Sequence, residues 1–201
     1  SEYEKQIGKN LSDDEFQELM KKQIEESKKR QIEEEKRKYK EIICEIIKIP
    51  KIHALKIINN TYEVDDLLKS SLKQIVNIKT GKWLLISGSV GVGKSFACSF
   101  LLFKLYNILK EEIRYIQASE IDEFFNYKEY KILAIDDLGL EKEKKLVQRI
   151  IEHYYDSFKI LIITTNINID RLMSEYDARM IDRIIEKSII IEAEGKSKRW
   201  I

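Results

Sequence analysis

Eight residues, Gly88-Ser-Val-Gly-Val-Gly-Lys-Ser95, constrain the fold more than any other part of the chain. They match the phosphate-binding loop pattern G-x-x-x-x-G-K-[ST], which joins a buried strand to a helix. The flanks suit that position, because an apolar run at residues 83–87 precedes the loop and a helix-like run at 96–106 follows it. A chance glycine-rich turn would not bring these flanks, the lysine and the serine together. The sequence therefore predicts a strand, a tight loop and a helix, in that order.

The residue types in this loop indicate what it binds. Glycines at 88, 91 and 93 let the backbone turn tightly and direct N–H groups at phosphate oxygens, next to the positive end of the following helix. We expect Lys94 to reach the β- and γ-phosphates of a nucleotide and the Ser95 hydroxyl to hold Mg²⁺. The predicted cofactor-binding residues of this segment are Gly88, Ser89, Val90, Gly91, Val92, Gly93, Lys94, Ser95 and Phe96.

A second apolar run, residues 132–135, ends in the two carboxylates Asp136 and Asp137. Parallel strands that are buried on both faces have continuous apolar sequences, and ligands bind beyond the carboxyl ends of such strands. We expect Asp136 to lie beside the phosphate loop and hold Mg²⁺, and Asp137 to orient an attacking water molecule. Two adjacent Asp residues after a strand can also form a helix cap and a turn. The phosphate loop upstream makes that alternative the weaker one.

The composition limits the class of protein. A chain of 201 residues can hold one α/β domain with a small addition. The net charge is only +1, so any basic surface must be local. No apolar stretch approaches the roughly 18–20 residues that cross a membrane. Cys44 and Cys98 form no metal-type pair, which favours a reducing, cytoplasmic setting. His53 and His153 have no ligand spacing and are interpreted as structural.

The first part of the chain differs from the rest. Residues 13–48 contain neither Gly nor Pro, and residues 21–41 are almost wholly charged. A helix over 13–48 would be about 54 Å long, whereas a domain of ~150 residues has a radius of gyration of about 15 Å. We interpret residues 1–48 as a charged helical arm that contacts another protein. A solvated helix or a linker remnant is the alternative. Pro50 marks the boundary, and residues 49–201 form the second predicted domain.

Beyond Pro50 the chain alternates strand-like and helix-like segments, as a doubly wound sheet does. Crossovers of this length join parallel strands with a right-handed connection. The sequence therefore predicts an α/β fold with a five-stranded parallel sheet and helices on both faces. The predicted strands are residues 83–87, 113–117, 132–136, 160–164 and 188–192, and the predicted helices are 95–110, 120–127, 143–157 and a pair within 170–187.

Several segments together resemble one family, the AAA+ ATPases of the DnaC/DnaI type that load replicative helicases in bacteria and phages, together with their IstB relatives. The run Ile132-Leu-Ala-Ile-Asp-Asp-Leu-Gly resembles the Walker B stretch of this family. Leu161-Ile-Ile-Thr-Thr-Asn resembles its sensor 1 strand, which implies that Asn166 lies near the γ-phosphate. The segment 177–183 resembles the arginine-finger segment, and 189–199 resembles the last strand with its closing Ser-x-Arg tail. The resemblance implies nucleotide-site roles for Arg179, Arg183 and Arg199.

The resemblance also implies features of the fold. Only about eighteen residues follow Arg183, too few for the helical lid of most AAA+ proteins, and the DnaC/IstB group is known for lacking or minimising that lid. The segment 118–130 is shorter than the insert that carries DNA-binding elements in related proteins. We therefore expect single-stranded DNA binding to be weak. Asp137 stands where many AAA+ enzymes have the longer Glu, which suggests modest turnover.

We expect a cytoplasmic ATPase that binds ATP or ADP with Mg²⁺ and turns over slowly when alone. Lys94, Asp137, Asn166 and Arg183 are the predicted catalytic residues, and Ser95 and Asp136 the predicted metal ligands. The expected partners are a replicative helicase, bound through the N-terminal arm, and further copies of the chain, bound through the ATP sites; no membrane partner is expected. An IstB-like transposition helper, or a binding module without significant turnover, is the alternative.

Overall fold

The computed structural model describes residues 13–195 and residue 197. The chain divides into two compact units, Ser1–Glu41 and Ile42–Ile201. In the described part of the first unit, a helix, α1, spans Asp13–Glu41 and is exposed along nearly its whole length. The pairs Glu25–Lys29 and Glu34–Lys38 form i,i+4 ion pairs on its surface, which contribute little individually. The predicted long, charged N-terminal helix is confirmed.

The second unit contains five parallel strands in the order β2-β3-β4-β1-β5. The three central strands consist of apolar residues that are buried on both faces of the sheet, as the continuous apolar runs predicted. The five-stranded parallel sheet is therefore confirmed. The strands are β1 (Trp83–Gly88), β2 (Ile113–Gln117), β3 (Ile132–Leu138), β4 (Ile160–Thr165) and β5 (Ser188–Ala193).

Seven helices cover the two faces of this sheet in the described part of the second unit. A π-helical turn, Ile42–Ile47, comes first and buries Ile43 and Ile47. The helix that follows the phosphate loop packs against the sheet with most of its residues buried. The helices are α2 (Lys51–Asn59), α3 (Asp66–Lys73), α4 (Ile75–Lys79), α5 (Lys94–Leu109), α6 (Lys144–Asp156), α7 (Ile169–Glu175) and α8 (Ala178–Lys187).

The helix predicted over residues 120–127 is wrong. The segment contains only two short 3₁₀ turns, Ala118–Glu120 and Tyr127–Glu129. The carboxylate of Asp122 accepts the backbone N–H of Phe124 at 3.1 Å. Such a local side-chain bond offers the backbone an alternative to helix. The ring of Phe124 is 85% exposed and gains little from packing, whereas Ile121 is buried without a helix around it.

The last regular element among the described residues is β5, so this part of the chain carries no helical lid after α8. The fold class predicted from the sequence is confirmed in this respect too. Within residues 13–195 and 197, no helix combines the length and the apolar character that crossing a membrane requires.

Candidate nucleotide-binding site

The predicted phosphate loop leaves the carboxyl end of β1 and enters α5 at Lys94. Its three glycines all have positive φ angles, which residues with a side chain rarely adopt. A Cβ atom on Gly88 would lie 2.2 Å from the carbonyl oxygen of Ala193, and one on Gly91 would lie 2.2 Å from Oγ of Ser197. The loop is therefore pressed between β5 and the following tail, where only glycine fits.

Lys94 is only 4% exposed, and its ammonium group is held at the mouth of the loop. Nζ donates hydrogen bonds to the carbonyl oxygens of Gly88 at 2.9 Å and Ser89 at 2.8 Å. A third bond goes to Oδ1 of Asn166 at 2.7 Å, at the end of β4. A buried cation beside the N-terminus of a helix and a glycine-rich turn suits a phosphate group, whose oxygens can replace these acceptors. The residues present therefore fit a nucleotide phosphate.

Hydrogen bonds connect Lys94 to both aspartates near the end of β3. Nδ2 of Asn166, the Lys94 partner, donates to Oδ1 of Asp137 at 2.9 Å. The backbone N–H of Asp137 donates to Oγ1 of Thr164 at 3.0 Å. The Thr164 hydroxyl donates in turn to Oδ1 of Asp136 at 2.5 Å. The structure thus places Lys94, Asn166, Asp137 and Asp136, predicted separately from the sequence, in one continuous network.

The backbone at Asp137 explains how two adjacent aspartates reach different partners. In a regular strand their side chains would point to opposite faces. The pairing of β3 with β4 is interrupted between Ile135 and Leu138, and Asp137 has a left-handed backbone with φ of 57°. Such a bulge redirects a side chain, and bulges are frequent next to active sites. Asp137 therefore contacts Asn166 at the surface of the site, while Asp136 remains inside.

Asp136 is 1% exposed, and two hydroxyl groups satisfy its carboxylate. Besides the Thr164 bond, the hydroxyl of Tyr115 donates to Oδ2 at 2.6 Å. Burial, followed by the charge of Asp136, raises the pKa of Tyr115, so its hydroxyl remains a donor throughout the ordinary pH range. A carboxylate oxygen can accept more than one bond, so the remaining positions on Asp136 suit a hard cation such as Mg²⁺.

Sequence reasoning missed the roles of Tyr115 and Thr164. A signal for both was present, because each is a polar residue within an apolar strand that ends at the site. Tyr115 pairs in register with Ala134, two residues before Asp136. Residues two apart in a strand share a face, so the register places Tyr115 and Asp136 on the same face of the sheet.

Helix α2 is held against the first turn of α5 by a buried polar contact. The hydroxyl of Ser99 donates its hydrogen to the carbonyl oxygen of Ser95 at 2.8 Å. Nδ1 of His53 lies 2.9 Å from the same hydroxyl oxygen, which accepts a hydrogen bond when the ring carries its proton on Nδ1. The ring of His53 also meets Phe96 edge-on, with the centroids 5.6 Å apart. This contact packs Phe96, a predicted nucleotide-site residue, against α2.

The predicted residues Arg179 and Arg183 lie on α8. Arg183 is engaged within its own chain, where Nη1 lies 3.5 Å from Glu152 and Nη2 3.9 Å from Asp156. Its guanidinium also lies 5.0 Å from the ring centroid of Tyr155. Arg179, one helical turn earlier on α8, is exposed to solvent. The predicted role of Arg199 falls outside the described residues.

Comparison of the sequence with protein-family models and with curated proteins gives no match. Comparison of the structure with solved structures gives clear matches. A crystal structure of the DnaC helicase loader is similar over 67% of this chain and 94% of that chain, with a TM-score of 0.57 and 22% identity. DnaI is similar over 69% of this chain and 88% of that chain, with a TM-score of 0.56 and 19% identity.

A structure of AMPPCP-bound DnaA from Aquifex aeolicus is also similar. It covers 70% of this chain and 51% of that chain, with a TM-score of 0.54 and 21% identity. At such identities the likeness establishes the fold. The chain has an AAA+ P-loop NTPase fold, and the resemblance to the DnaC/DnaI type is confirmed at the level of the fold.

Proposed function

We propose that this chain binds and hydrolyses ATP and acts as an AAA+ protein of the helicase-loader type. The observation that carries the proposal is the network that links Lys94, Asn166 and Asp137 at the mouth of the glycine loop. It joins a phosphate-binding cation to a carboxylate suited to hold water, which are the two groups that a nucleoside triphosphatase needs. The shared fold with DnaC and DnaI supports the loader type.

In this proposal each residue has one task. The backbone N–H groups of the loop hold the phosphates, and Lys94 neutralises charge on the β- and γ-phosphates. The Ser95 hydroxyl and the Asp136 carboxylate are the ligands for Mg²⁺, which supplies charge neutralisation on the phosphate oxygens when bound. Asp137 accepts a hydrogen bond from the attacking water and thereby orients it. Asn166 fixes Asp137 through their hydrogen bond.

The surroundings of Arg179 and Arg183 on α8 suggest which of them reaches the ATP site of a neighbouring copy of the chain. Because α8 leads back to the start of β5, its first residues lie toward the carboxyl edge of the sheet, where the phosphate loop is. Arg179 is near that edge and exposed, whereas Arg183 already pairs with Glu152 and Asp156. We therefore assign Arg179 as the finger that completes the ATP site of a neighbouring copy. Arg183 as the finger stays a prediction from the resemblance.

The predicted partner is a replicative helicase, bound by the charged arm of residues 1–48, with residues 49–201 as the ATPase domain. The structural similarity to the DnaC helicase loader supports this partner. Helix α1 offers a suitable contact, because Phe16, Met20 and Ile24 lie four residues apart on one face and are each about half exposed. Amphipathic helices bind partner grooves through apolar residues at this spacing.

Paired substitutions test the ATPase assignment. Lys94→Ala should abolish ATP binding in calorimetry, because the ammonium that contacts the phosphates is lost. Asp137→Asn should leave binding within about threefold of the original and lower the hydrolysis rate by about 10²–10³-fold, as removal of a group that orients water does. Lys82→Ala, an exposed lysine just before β1, is the matched control and should change neither.

The outcomes separate the alternatives. ATP binding by Lys94→Ala at the original affinity would show that the loop is not the site. Binding without measurable turnover in the unaltered protein would favour a nucleotide-dependent binding module instead. Equal turnover by Asp137→Asn and the unaltered protein would remove Asp137 from the catalytic residues.

A further inference from the structure

A cavity of about 360 Å³ lies at the amino edge of the sheet, opposite the edge that carries the phosphate loop. It forms where the chain enters four of the parallel strands. Lys131, Lys159 and Lys187 each stand immediately before a strand, and Lys79 ends the helix that precedes β1. The eleven lining residues include these four lysines and no Asp or Glu. The cavity is therefore a concentrated positive site in a chain whose net charge is only +1.

The four lysines are not neutralised by carboxylates in the part of the chain that the structure describes, where none of them forms an ion pair. Nζ of Lys159 instead donates to the backbone carbonyl of Lys128 at 2.5 Å. Burial and, next, the charge of Lys131 lower the pKa of Lys159, and the charge of Glu112 opposes them as the smallest of the three effects. Neighbouring cations that repel one another favour the binding of an anion.

The cavity also presents aromatic rings beside these cations. Phe158 is 78% exposed and has a left-handed backbone, with φ of 53°. Nζ of Lys187 lies 5.7 Å from the ring centroid of Phe158 and 5.0 Å from that of Tyr155. A large apolar ring held at the rim of a basic pocket is a stacking surface for a planar group, as in proteins that bind single strands.

The base of the cavity is rigid, so the charged and aromatic groups are held in place. Trp83 is 1% exposed, and its Nε1 donates to the carbonyl oxygen of Lys159 at 2.8 Å. Tyr154 is fully buried, and its hydroxyl donates to the carbonyl oxygens of Tyr127 at 2.9 Å and Tyr130 at 3.0 Å. These bonds fix the residue before β4 to β1, and the segment before β3 to α6. A preformed site of this kind loses little entropy when a ligand binds.

We propose that this cavity binds a short segment of a single-stranded nucleic acid, with neighbouring phosphates on the four lysines and one base on Phe158. The volume lies in the range of small-molecule sites. A base can reach the ring only when it is not stacked in a duplex. An acidic peptide would satisfy the lysines but offers no flat ring system to Phe158. The proposal does not rest on the nucleotide site at the other edge of the sheet.

Fluorescence anisotropy with a labelled ten-residue oligothymidylate and the full chain, without ATP or Mg²⁺, tests the electrostatic part. We expect a Kd in the micromolar range at low salt. If each lysine neutralises one phosphate, the slope of log K against log salt is about −2.8. The double variant Lys79→Glu with Lys131→Glu should reduce the slope by half and weaken binding more than about tenfold. Lys21→Glu with Lys28→Glu, on the exposed α1, carries the same charge change and should leave the slope unchanged.

Phe158→Asn tests the stacking part, because Asn tolerates the left-handed backbone and lacks the ring. Loss of one base–aromatic stack should weaken oligothymidylate binding about 5- to 150-fold. Inorganic tripolyphosphate, which has no base, should bind the variant and the original protein equally. These two results together would support a site for single-stranded nucleic acid. Thymidine monophosphate alone should bind the original protein more weakly than the oligothymidylate does.

Four results would overturn the proposal. Phe158→Asn could bind the oligonucleotide as tightly as the original protein, which would leave only an anion site. A duplex of the same length could bind as tightly as the single strand. A polyglutamate peptide could displace the label as well as unlabelled oligothymidylate, which would indicate an acidic protein partner. Equal salt slopes in the Lys79 and Lys21 double variants would place binding elsewhere.

Discussion

The buried carboxylate of Asp136 depends on two hydroxyl donors from neighbouring strands. Tyr115 and Thr164 each donate to one of its oxygens, at 2.6 Å and 2.5 Å. These bonds replace hydration that the 1% exposed group has lost. They also fix the direction in which Asp136 faces the phosphate loop, so they are positioning contacts for the proposed magnesium ligand.

Tyr115→Phe should lower the free energy of unfolding by about 1–3 kcal/mol, because a hydrogen bond to a buried charged acceptor is lost. Chemical denaturation measures the effect, and the dependence of ATP binding on Mg²⁺ should weaken in parallel. Tyr106→Phe is the matched control, since Tyr106 contacts Lys110 through its ring face. Equal stability of the two variants would show that Tyr115 does not support Asp136.

His53 gives the protein a specific response to acid. Burial lowers its pKa below 6.5, Lys56 adds to the shift and the charge of Asp136 opposes it. The unfolded chain therefore binds a proton at a higher pH than the folded chain, so stability falls as the pH decreases below about 6.5. Between pH 7.5 and 5.5 the unaltered protein should lose more thermal stability than His53→Gln. A parallel loss in both proteins would contradict the assignment.

At the scale of elements, α1 is proposed to carry the helicase contact on one face. Phe16→Ala with Ile24→Ala should weaken binding of the helicase at least about tenfold, as loss of apolar anchors does, and leave ATP hydrolysis unchanged. Glu18→Ala with Lys22→Ala alters the opposite face of the same helix without a change in net charge. Surface plasmon resonance with the purified helicase measures both. Equal weakening by the two pairs would argue against an apolar anchor face.

The sequence predicted the elements whose signal is local. The five strands follow from apolar runs, and the phosphate loop follows from its glycines. The sequence did not predict the separate helices α2, α3 and α4 within residues 51–79. These short helices depend on packing against one another and against α5. The helix predicted over 120–127 is wrong because a local bond from the Phe124 backbone to the Asp122 carboxylate competes with helical hydrogen bonds.

In the candidate site, too, the sequence predicted the residues with a local signal and missed those that depend on the assembled fold. Lys94, Asp136 and Asp137 were predicted because each belongs to a short motif with a defined spacing. Tyr115 acts through the register of β2 with β3, which only the assembled sheet shows. The partners of Arg183, namely Glu152 and Asp156, lie on another helix some thirty residues away in the chain. Contacts of this kind follow from topology rather than from local sequence.

At the scale of the whole molecule, the proposed trans finger would make ATPase activity depend on assembly. Arg179→Ala and Lys94→Ala should each lose most ATPase activity, by about 10³-fold or more for the finger. An equimolar mixture should recover part of it, since each variant damages a different side of the shared site. Hydrolysis per subunit should rise with protein concentration. Arg183→Ala, tested beside Arg179→Ala, should mainly lower stability. Loss of ATPase activity in Arg183→Ala but not in Arg179→Ala would assign the finger to Arg183.

The left-handed backbone of Asp137 has an evolutionary consequence. A residue with a side chain held at φ of 57° costs stability that a relaxed strand would keep. Asn adopts this conformation more readily than Asp, so selection for thermal resistance alone would favour its replacement. If Asp137 orients water as proposed, the carboxylate at this position exchanges stability for reactivity. Stabilised descendants of this chain are therefore expected to lose turnover first at this position.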